Sequence, residues 1–319
     1  MRPDGIGKIP AGVQRASAGL LCSLTAVLAA GAATGSARQQ YRATVDVVRL
    51  PVVVADGDGA PVRGLSPDDF EVREDGRLQE IAFFAEGPSG VEVPLYLGLL
   101  LDVSGSMESD MRAAASAAVR FVNALDEAKD VTLVDFDSAV RLGRFSPPSY
   151  PHLFERIRAR ETGGMTALYD AIGVYLSRSV ARRGQHVLVL YTDGGDTASS
   201  ITFGRLQQLL RMTDVLVYAV GFLEHQSGSD RGRQQMRISQ IARETGGDAY
   251  FPYSGAGLDE AYARILQEVS SRYTIGYVPI DAPTEGDFRR VDVRLTNPEL
   301  KGVKVRTRPG YQMLESASR

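Results

Sequence analysis

Between about residues 93 and 270 the chain alternates apolar runs with helical periods. The runs "LYLGLLL", "VTLVDF", "HVLVLYT" and "VLVYAVGF" are apolar almost throughout, as strands covered on both faces must be. Between the first two, Met111, Ala115, Ala118, Val122 and Leu125 recur at alternating spacings of four and three, which places them on one face of an amphipathic helix. "TALYDAIGVYLSRSV", "FGRLQQLLR", "MRISQIARETGG" and "LDEAYARILQEVS" predict further helices, and Gly246-Gly247 closes the third of these with a glycine stop. Strands alternating with helices predict an α/β fold with a doubly wound, mostly parallel sheet flanked by helices.

The flanks follow another rhythm. Before this region, in 41–92, "TVDVVRLPVVV", "FEVRED" and "LQEIAFF" are short strands separated by turns. The turn at Asp56-Gly57-Asp58-Gly59 lacks the spaced ligands and terminal Glu of a calcium loop, so it reads as a hairpin turn. Ser66-Pro67-Asp68-Asp69 combines an N-cap, a proline at the first position and an acidic turn, enough for a short helix. After it, in 271–315, "YTIGYVPI", "FRRVDVRLTN" and "VKVRTRPGY" return to strands. Neither flank is large enough to bury a core alone. The expectation is one smaller all-β, sandwich-like module assembled from both, with the α/β domain of 93–270 inserted between its halves.

The N-terminus departs from both patterns. Arg2, Lys8 and Arg15 precede "ASAGLLCSLTAVLAAGAA", and small residues follow, which is the layout of a signal peptide over residues 1–37. Cleavage after Ala37 leaves Gly35 and Ala37 at the small-residue positions, and cleavage after Ala33 is the alternative. An uncleaved anchor is the rival reading, although the apolar stretch is short and Ala/Gly-rich for a span. Cleavage takes the formal charge of the 319-residue chain from -3 to -5 and removes Cys22, the only cysteine. The mature chain is thus expected to be exported, periplasmic or extracellular, with no disulfide and no membrane span. A net acidic chain with its arginines scattered along the sequence argues against nucleic acid as a partner.

Candidate chemistry lies where strands end. In an open α/β sheet, ligands bind at the carboxyl ends of the strands. One strand runs into Asp102 of "LLLDVSGSM" and another into Asp193 of "LYTDGGDT". Parallel neighbours bring these carboxylates together, and two like charges in a half-buried place require a positive group between them. Ser104 and Ser106 follow Asp102, and Thr166 follows the flexible pair Gly163-Gly164 just before a helix. With only oxygen donors and few charges, Mg²⁺ is the preferred ion, and Mn²⁺ and Ca²⁺ are the other candidates. Singly, each signal also reads as local structure: Asp102 and the serines as a strand end with a helix cap, Thr166 as an N-cap, Asp193 as a turn. Their convergence in one crevice is what the metal reading adds.

These three segments, in this order and context, resemble the metal-ion-dependent adhesion site of von Willebrand factor A domains, and the whole chain resembles secreted bacterial proteins of that type. The resemblance implies a Rossmann-like domain in which Ser104, Ser106 and Thr166 supply hydroxyl ligands, Thr166 directly in the active state. It implies that Asp102 and Asp193 contact the metal largely through water. It also implies a function: metal-dependent protein binding, in which an Asp or Glu of a partner completes the coordination. Family members can couple metal contact to movement of the last helix, here "LDEAYARILQEVS", which a single sequence leaves open. Oligomeric state is likewise open. Asp137 in "VDFDSAV" reads as a hairpin turn residue, and Asp196 as orienting the Asp193 loop or solvated.

The first rival is a secreted Mg²⁺-dependent hydrolase using the same crevice. The sequence contains no Gly-x-Ser-x-Gly elbow, no phosphate loop and no His-Glu-x-x-His helix. Its three histidines are scattered: His152 starts a helix, His186 opens a strand away from the crevice, and His225, next to Glu224 in the polar loop "LEHQSGSDRGRQQ", reads as rim. The expectation is therefore that the protein is not an enzyme. The second rival is a structural or assembly module with a purely stabilising ion, for which Asp102→Ala would be strongly destabilising.

Overall fold

A computed structural model describes residues 47–87, 93–179, 181–253, 255–281, 286–300 and 302–312. The leader expected over 1–37, with Cys22 and the proposed cleavage point, lies outside the described residues.

The flanking module opens with β1 (Val48–Ala55), β2 (Phe70–Glu74), β3 (Arg77–Gln79) and β4 (Ile81–Glu86). The α/β region follows as β5 (Leu95–Asp102), α1 (Met111–Ala124), β6 (Ala128–Phe136), β7 (Val140–Phe145), α2 (Tyr150–Arg158) and α3 (Leu168–Ser179). It continues with β8 (Gln185–Thr192), α4 (Phe203–Arg211), β9 (Leu216–Gly221), α5 (Gly228–Arg243), β10 (Ala249–Tyr250) and α6 (Gly255–Ser271). The chain then returns to the module with β11 (Tyr273–Tyr277), β12 (Phe288–Leu295), β13 (Lys304–Arg306) and β14 (Gly310–Gln312).

Every residue of β5 is buried, because helices cover both faces of the six-stranded sheet. Leu97, Leu99 and Leu101 join a core built with α1, α2 and α6, while Leu100 joins one built with α3, α4 and α5. Gly98 on the second face admits the Tyr175 ring so closely that a Cβ there would lie 2.3 Å from it. The sheet order is β10-β9-β8-β5-β6-β7, parallel except for the edge hairpin β6–β7. From β5 the chain first builds outward through β6 and β7, then crosses back to place β8 on the other side of β5. Strand order therefore reverses at β5, and the crevice between the carboxyl ends of β5 and β8 is the topological switch point.

The two flanks interleave. One sheet has the order β13-β1-β11-β4 and the other β14-β12-β2-β3, so each mixes strands from before and after the α/β region. Their inner faces close a common core that includes Leu50, Val52 and Tyr273 from one sheet and Phe70, Val72 and Val293 from the other. The Phe70 ring lies 5.4 Å from that of Tyr273 and 5.5 Å from that of Phe84. Pro51 sits within β1 where that strand has one partner, β11, before it turns to pair with β13 from Val53 onward. A missing donor is tolerated in such an edge-like stretch.

Local expectations are revised at three places. "LQEIAFF" reads as one strand but divides at Glu80, with β3 in one sheet and β4 in the other. "VKVRTRPGY" likewise divides into β13 and β14, the crossing made at Thr307–Pro309, where proline interrupts a ladder. The buried guanidinium of Arg308 pins that crossing to the α/β region, pairing with Asp214 at 2.8 Å and donating to the Arg211 carbonyl at 2.7 Å. Helix α5 begins at Gly228, eight residues before Met236, inside what reads as a polar loop. There the Ser227 hydroxyl donates to Asp230 at 2.6 Å and its carbonyl accepts from the Arg231 amide at 2.8 Å, and an acidic residue stands in the first turn of a stretch with low apolar content.

Candidate functional site

Three loops meet at the switch point. The first leaves β5 and carries Asp102, Ser104 and Ser106; the second precedes α3 and carries Thr166; the third leaves β8 and carries Asp193. They are stitched pairwise by hydrogen bonds. The Gly163 amide donates to the Val103 carbonyl at 2.9 Å and the Gly105 amide to that of Gly164 at 3.2 Å, joining the first loop to the second. The Thr166 amide donates to the Thr197 hydroxyl at 2.9 Å, and the amides of Thr197 and Ala198 return bonds of 2.8 and 3.0 Å to the Thr166 carbonyl, joining second to third. The Thr192 hydroxyl donates to Asp102 Oδ2 at 2.6 Å, joining third to first.

Glycines make the two tight bends. Gly164 has φ +75 and Gly194 has φ +82, left-handed conformations that cost other residues strain. A Cβ on Gly194 would also lie 2.7 Å from Ile238 of α5. The same packing that seats this loop against α5 thus dictates glycine after Asp193.

Asp102 is fully buried; its Oδ1 accepts from the Ser104 amide at 3.0 Å. The hydroxyls of Ser104 and Ser106 are 3.2 Å apart. Ser104 and Thr166 are buried and Ser106 is exposed, so the oxygens run from the crevice floor to its rim. Among the described residues the Thr166 hydroxyl has no hydrogen-bond partner, and the residue lies before the first turn of α3 without capping it. Asp193 is buried, with Oδ1 accepting from the Gly195 amide at 3.2 Å. Burial pushes the Asp102 carboxyl up to about 6, against the pull of its bonds to Ser104 and Thr192, and the nearby charge of Asp193 adds to the rise.

The electrostatics of this pair stand apart from the rest of the molecule. Among the described residues the buried carboxylates are Glu74, Asp102, Asp130, Asp135, Asp193 and Glu244. Glu74 faces Arg289, Asp130 faces Arg182, Glu244 faces Arg211, and Asp135 is ringed by Arg141, Arg156 and Arg160. Asp102 and Asp193 have no such partner among the described residues. No cluster of three or more His, Cys, Asp or Glu side chains is placed to hold a metal among them either. A cation at this pole would rest on two carboxylates and three hydroxyls, a donor set that fits a hard divalent ion and no soft one.

Thr192 and Gln226 are neighbours that the sequence does not single out, beside Asp137, Asp196 and His225, which it does. Thr192 orients Asp102 and also accepts from the Gly194 amide at 3.0 Å; its place as the last residue of a strand beside β5 is the only signal for it. Asp196, half-buried, ties the loop of Asp193 to α3. Its Oδ1 accepts from the Tyr169 amide at 3.2 Å and the Ser199 hydroxyl at 2.5 Å, which caps α3 from another loop. Asp137 holds the β6–β7 turn, accepting from the Ala139 amide at 2.7 Å and from Arg141 at 2.6 Å. The Gln226 side chain donates to the Asp193 carbonyl at 2.9 Å, and exposed His225 stands 3.8 Å from Asp110 at the rim.

The model of the von Willebrand factor type A domain matches residues 97–264. Among solved structures, a von Willebrand factor type A protein from Catenulispora acidiphila aligns over 86% of this chain and 76% of its own at 13% identity and a TM-score of 0.47. The PilB minor pilin from Streptococcus sanguinis aligns over 56% of this chain at 13% identity and a TM-score of 0.45, and the match spans 62% of that pilin chain. An aerotolerance-related membrane protein from Bacteroides fragilis aligns over 55% of this chain and 98% of its own at 15% identity and a TM-score of 0.46. No curated protein sequence matches. No described helix is long and apolar enough to cross a membrane.

Proposed function

The chain belongs to the von Willebrand factor type A domain family, and from that premise we propose that it is an exported, metal-dependent protein-binding module, a binder and not an enzyme. In this reading Ser104, Ser106 and Thr166 offer hydroxyl oxygens to a divalent cation, Mg²⁺ first among the candidates, and Asp102 and Asp193 balance its charge. When bound, the ion supplies a Lewis-acidic position that accepts a carboxylate oxygen from an Asp or Glu of a partner protein. The observation that carries the reading is the uncompensated pair: every other buried carboxylate described has an arginine, and these two have only each other.

The chain's own residues do the rest. Thr192 and the Ser104 amide hold the Asp102 carboxylate in one orientation. The bonds of Thr197 fix the Thr166 main chain and leave its hydroxyl unengaged. Neutral hydroxyls contribute no charge, so the ion keeps most of its pull for an incoming acid. Titration of the purified protein with Mg²⁺ in a calorimeter tests this directly. One site is expected, weakened at least about tenfold by Ser104→Ala or by Thr166→Ala, a loss of the order of one charge-assisted contact. Equal affinity in both variants would remove these hydroxyls from the site.

Export is tested separately by N-terminal sequencing of the protein recovered outside the cytoplasm. The expected mature terminus is Arg38, following cleavage after Ala37. Recovery of the intact leader in a membrane fraction would show an anchor instead.

A further inference from the structure

At the opposite pole of the sheet the fold gathers arginines that the sequence keeps apart. Two adjoining cavities, of about 320 and 410 Å³, share Ser179, Arg182 and His186 as a common floor. That floor is tied by its own contacts. The Arg182 guanidinium makes a two-pronged pair with Asp130 at 2.9 and 2.6 Å and lies 3.6 Å over the Tyr96 ring. The His186 ring packs 5.1 Å from Tyr96, and its Nε2 is 3.1 Å from the Arg182 carbonyl oxygen.

Each cavity carries its own pair of uncommitted cations. Arg144 of β7 and Arg178 of α3 line the first, and Arg49 of β1 and Arg183, between α3 and β8, line the second. All four are exposed, and among the described residues none has a carboxylate within ion-pair distance. Among the described residues, the one acidic residue lining either cavity is Asp214, already held by Arg308 at 2.8 Å. The wider cleft between α5 and β13, about 1080 Å³, mixes its charges: Arg243 and Lys304 line it, but so do Glu244 and Asp248, and its Arg306 is bound to Asp248 and Glu268.

We propose that the double cavity around Arg182 is a binding site for a short multivalent oxyanion, a chain bearing at least two phosphate or sulfate groups. Guanidinium groups are planar forks that bind such oxyanions in pairs of parallel hydrogen bonds. Two cavities with two free forks each, joined over one fixed floor, match two linked anionic groups better than a single ion. The site is independent of the metal crevice, lying at the amino ends of β5 and β8, and it requires Arg49 of the flanking module beside residues of the α/β region.

Calorimetric titration of the purified chain in metal-free, low-salt buffer tests this, with inorganic tripolyphosphate in one arm and a sulfated oligosaccharide in the other. Binding of either supports the site and names its source, and affinity is expected to fall as salt is added. The paired variants Arg144→Ser/Arg178→Ser and Arg49→Ser/Arg183→Ser are each expected to weaken binding at least about tenfold. Their melting temperatures, compared with wild type, establish that these exposed changes leave the fold intact. Asp102→Ala should bind as wild type does. No binding in either arm, or equal binding by folded arginine variants, overturns the proposal.

Discussion

Asp102→Asn is expected to raise the stability of the metal-free protein at pH 7 by about 3 kcal/mol. Burial lifts this carboxyl from 3.8 to about 6, so the folded state favours its protonated form. The stability that this form contributes is complete below about pH 4 and is lost as pH rises through about 6. At pH 7 the metal-free chain therefore folds around a buried charge. Asparagine keeps the shape and an acceptor for the Ser104 amide, and its NH2 can donate to the Thr192 hydroxyl, which gives up its own bond to Asp102, so about 3 kcal/mol is the upper end of the gain. Saturating Mg²⁺ should reverse the order, stabilising wild type more at pH 7 than at pH 5 and leaving Asp102→Asn unmoved. Thermal melts at the two pH values, with and without Mg²⁺, read both effects. A magnesium shift equal at both pH values, or equal in the variant, would sink the electrostatic account of the crevice.

The same substitution one strand away should act in the opposite direction. Asp135 is fully buried in β6, and its register partner in β5 is Leu101, the residue before Asp102. Its Oδ1 takes two bonds from Arg156, at 3.0 and 2.6 Å, and Oδ2 lies 3.0 Å from Arg160 and 3.6 Å from Arg141. Asp135→Asn removes the anion and leaves part-buried cations facing one another, which is expected to cost about 3 kcal/mol. Denaturant melts of the two asparagine variants measure the contrast. A neutral Asp135→Asn would mean that arginine pairing does not mark which buried carboxylates this fold has compensated.

Much of the fold is legible because its signals are local. Leu95 to Leu101 announce a strand covered on both faces, and Met111 through Leu125 announce the helix beside it. What is not legible depends on partners distant in sequence. Nothing near Glu80 announces that the chain changes sheets there, and Pro309 marks a break without saying which sheet follows, since a sandwich corner is set by which strands pair, not by alternation. The start of α5 at Gly228 escapes a search for apolar periodicity because its first turns are polar and its buried residues begin only at Ile238.

The candidate site divides in the same way. Asp102, Ser104, Ser106, Thr166 and Asp193 stand out because hydroxyls and carboxylates at strand ends are conspicuous against apolar runs. Thr192 does not, since a threonine ending a strand is unremarkable until β8 lies beside β5. The arginines around Arg182 are the extreme case. Arg49, Arg144 and Arg183 are far apart in sequence, and only the folded topology makes them neighbours.

Protein binding through the ion is tested most directly by one capture experiment. Immobilised wild-type protein is incubated with envelope or extracellular extract in Mg²⁺ and in EDTA, beside Asp102→Ala in Mg²⁺. A partner is expected to be retained by wild type in Mg²⁺, released by EDTA, and absent from the folded variant. A partner retained equally under all three conditions would contradict binding through the ion.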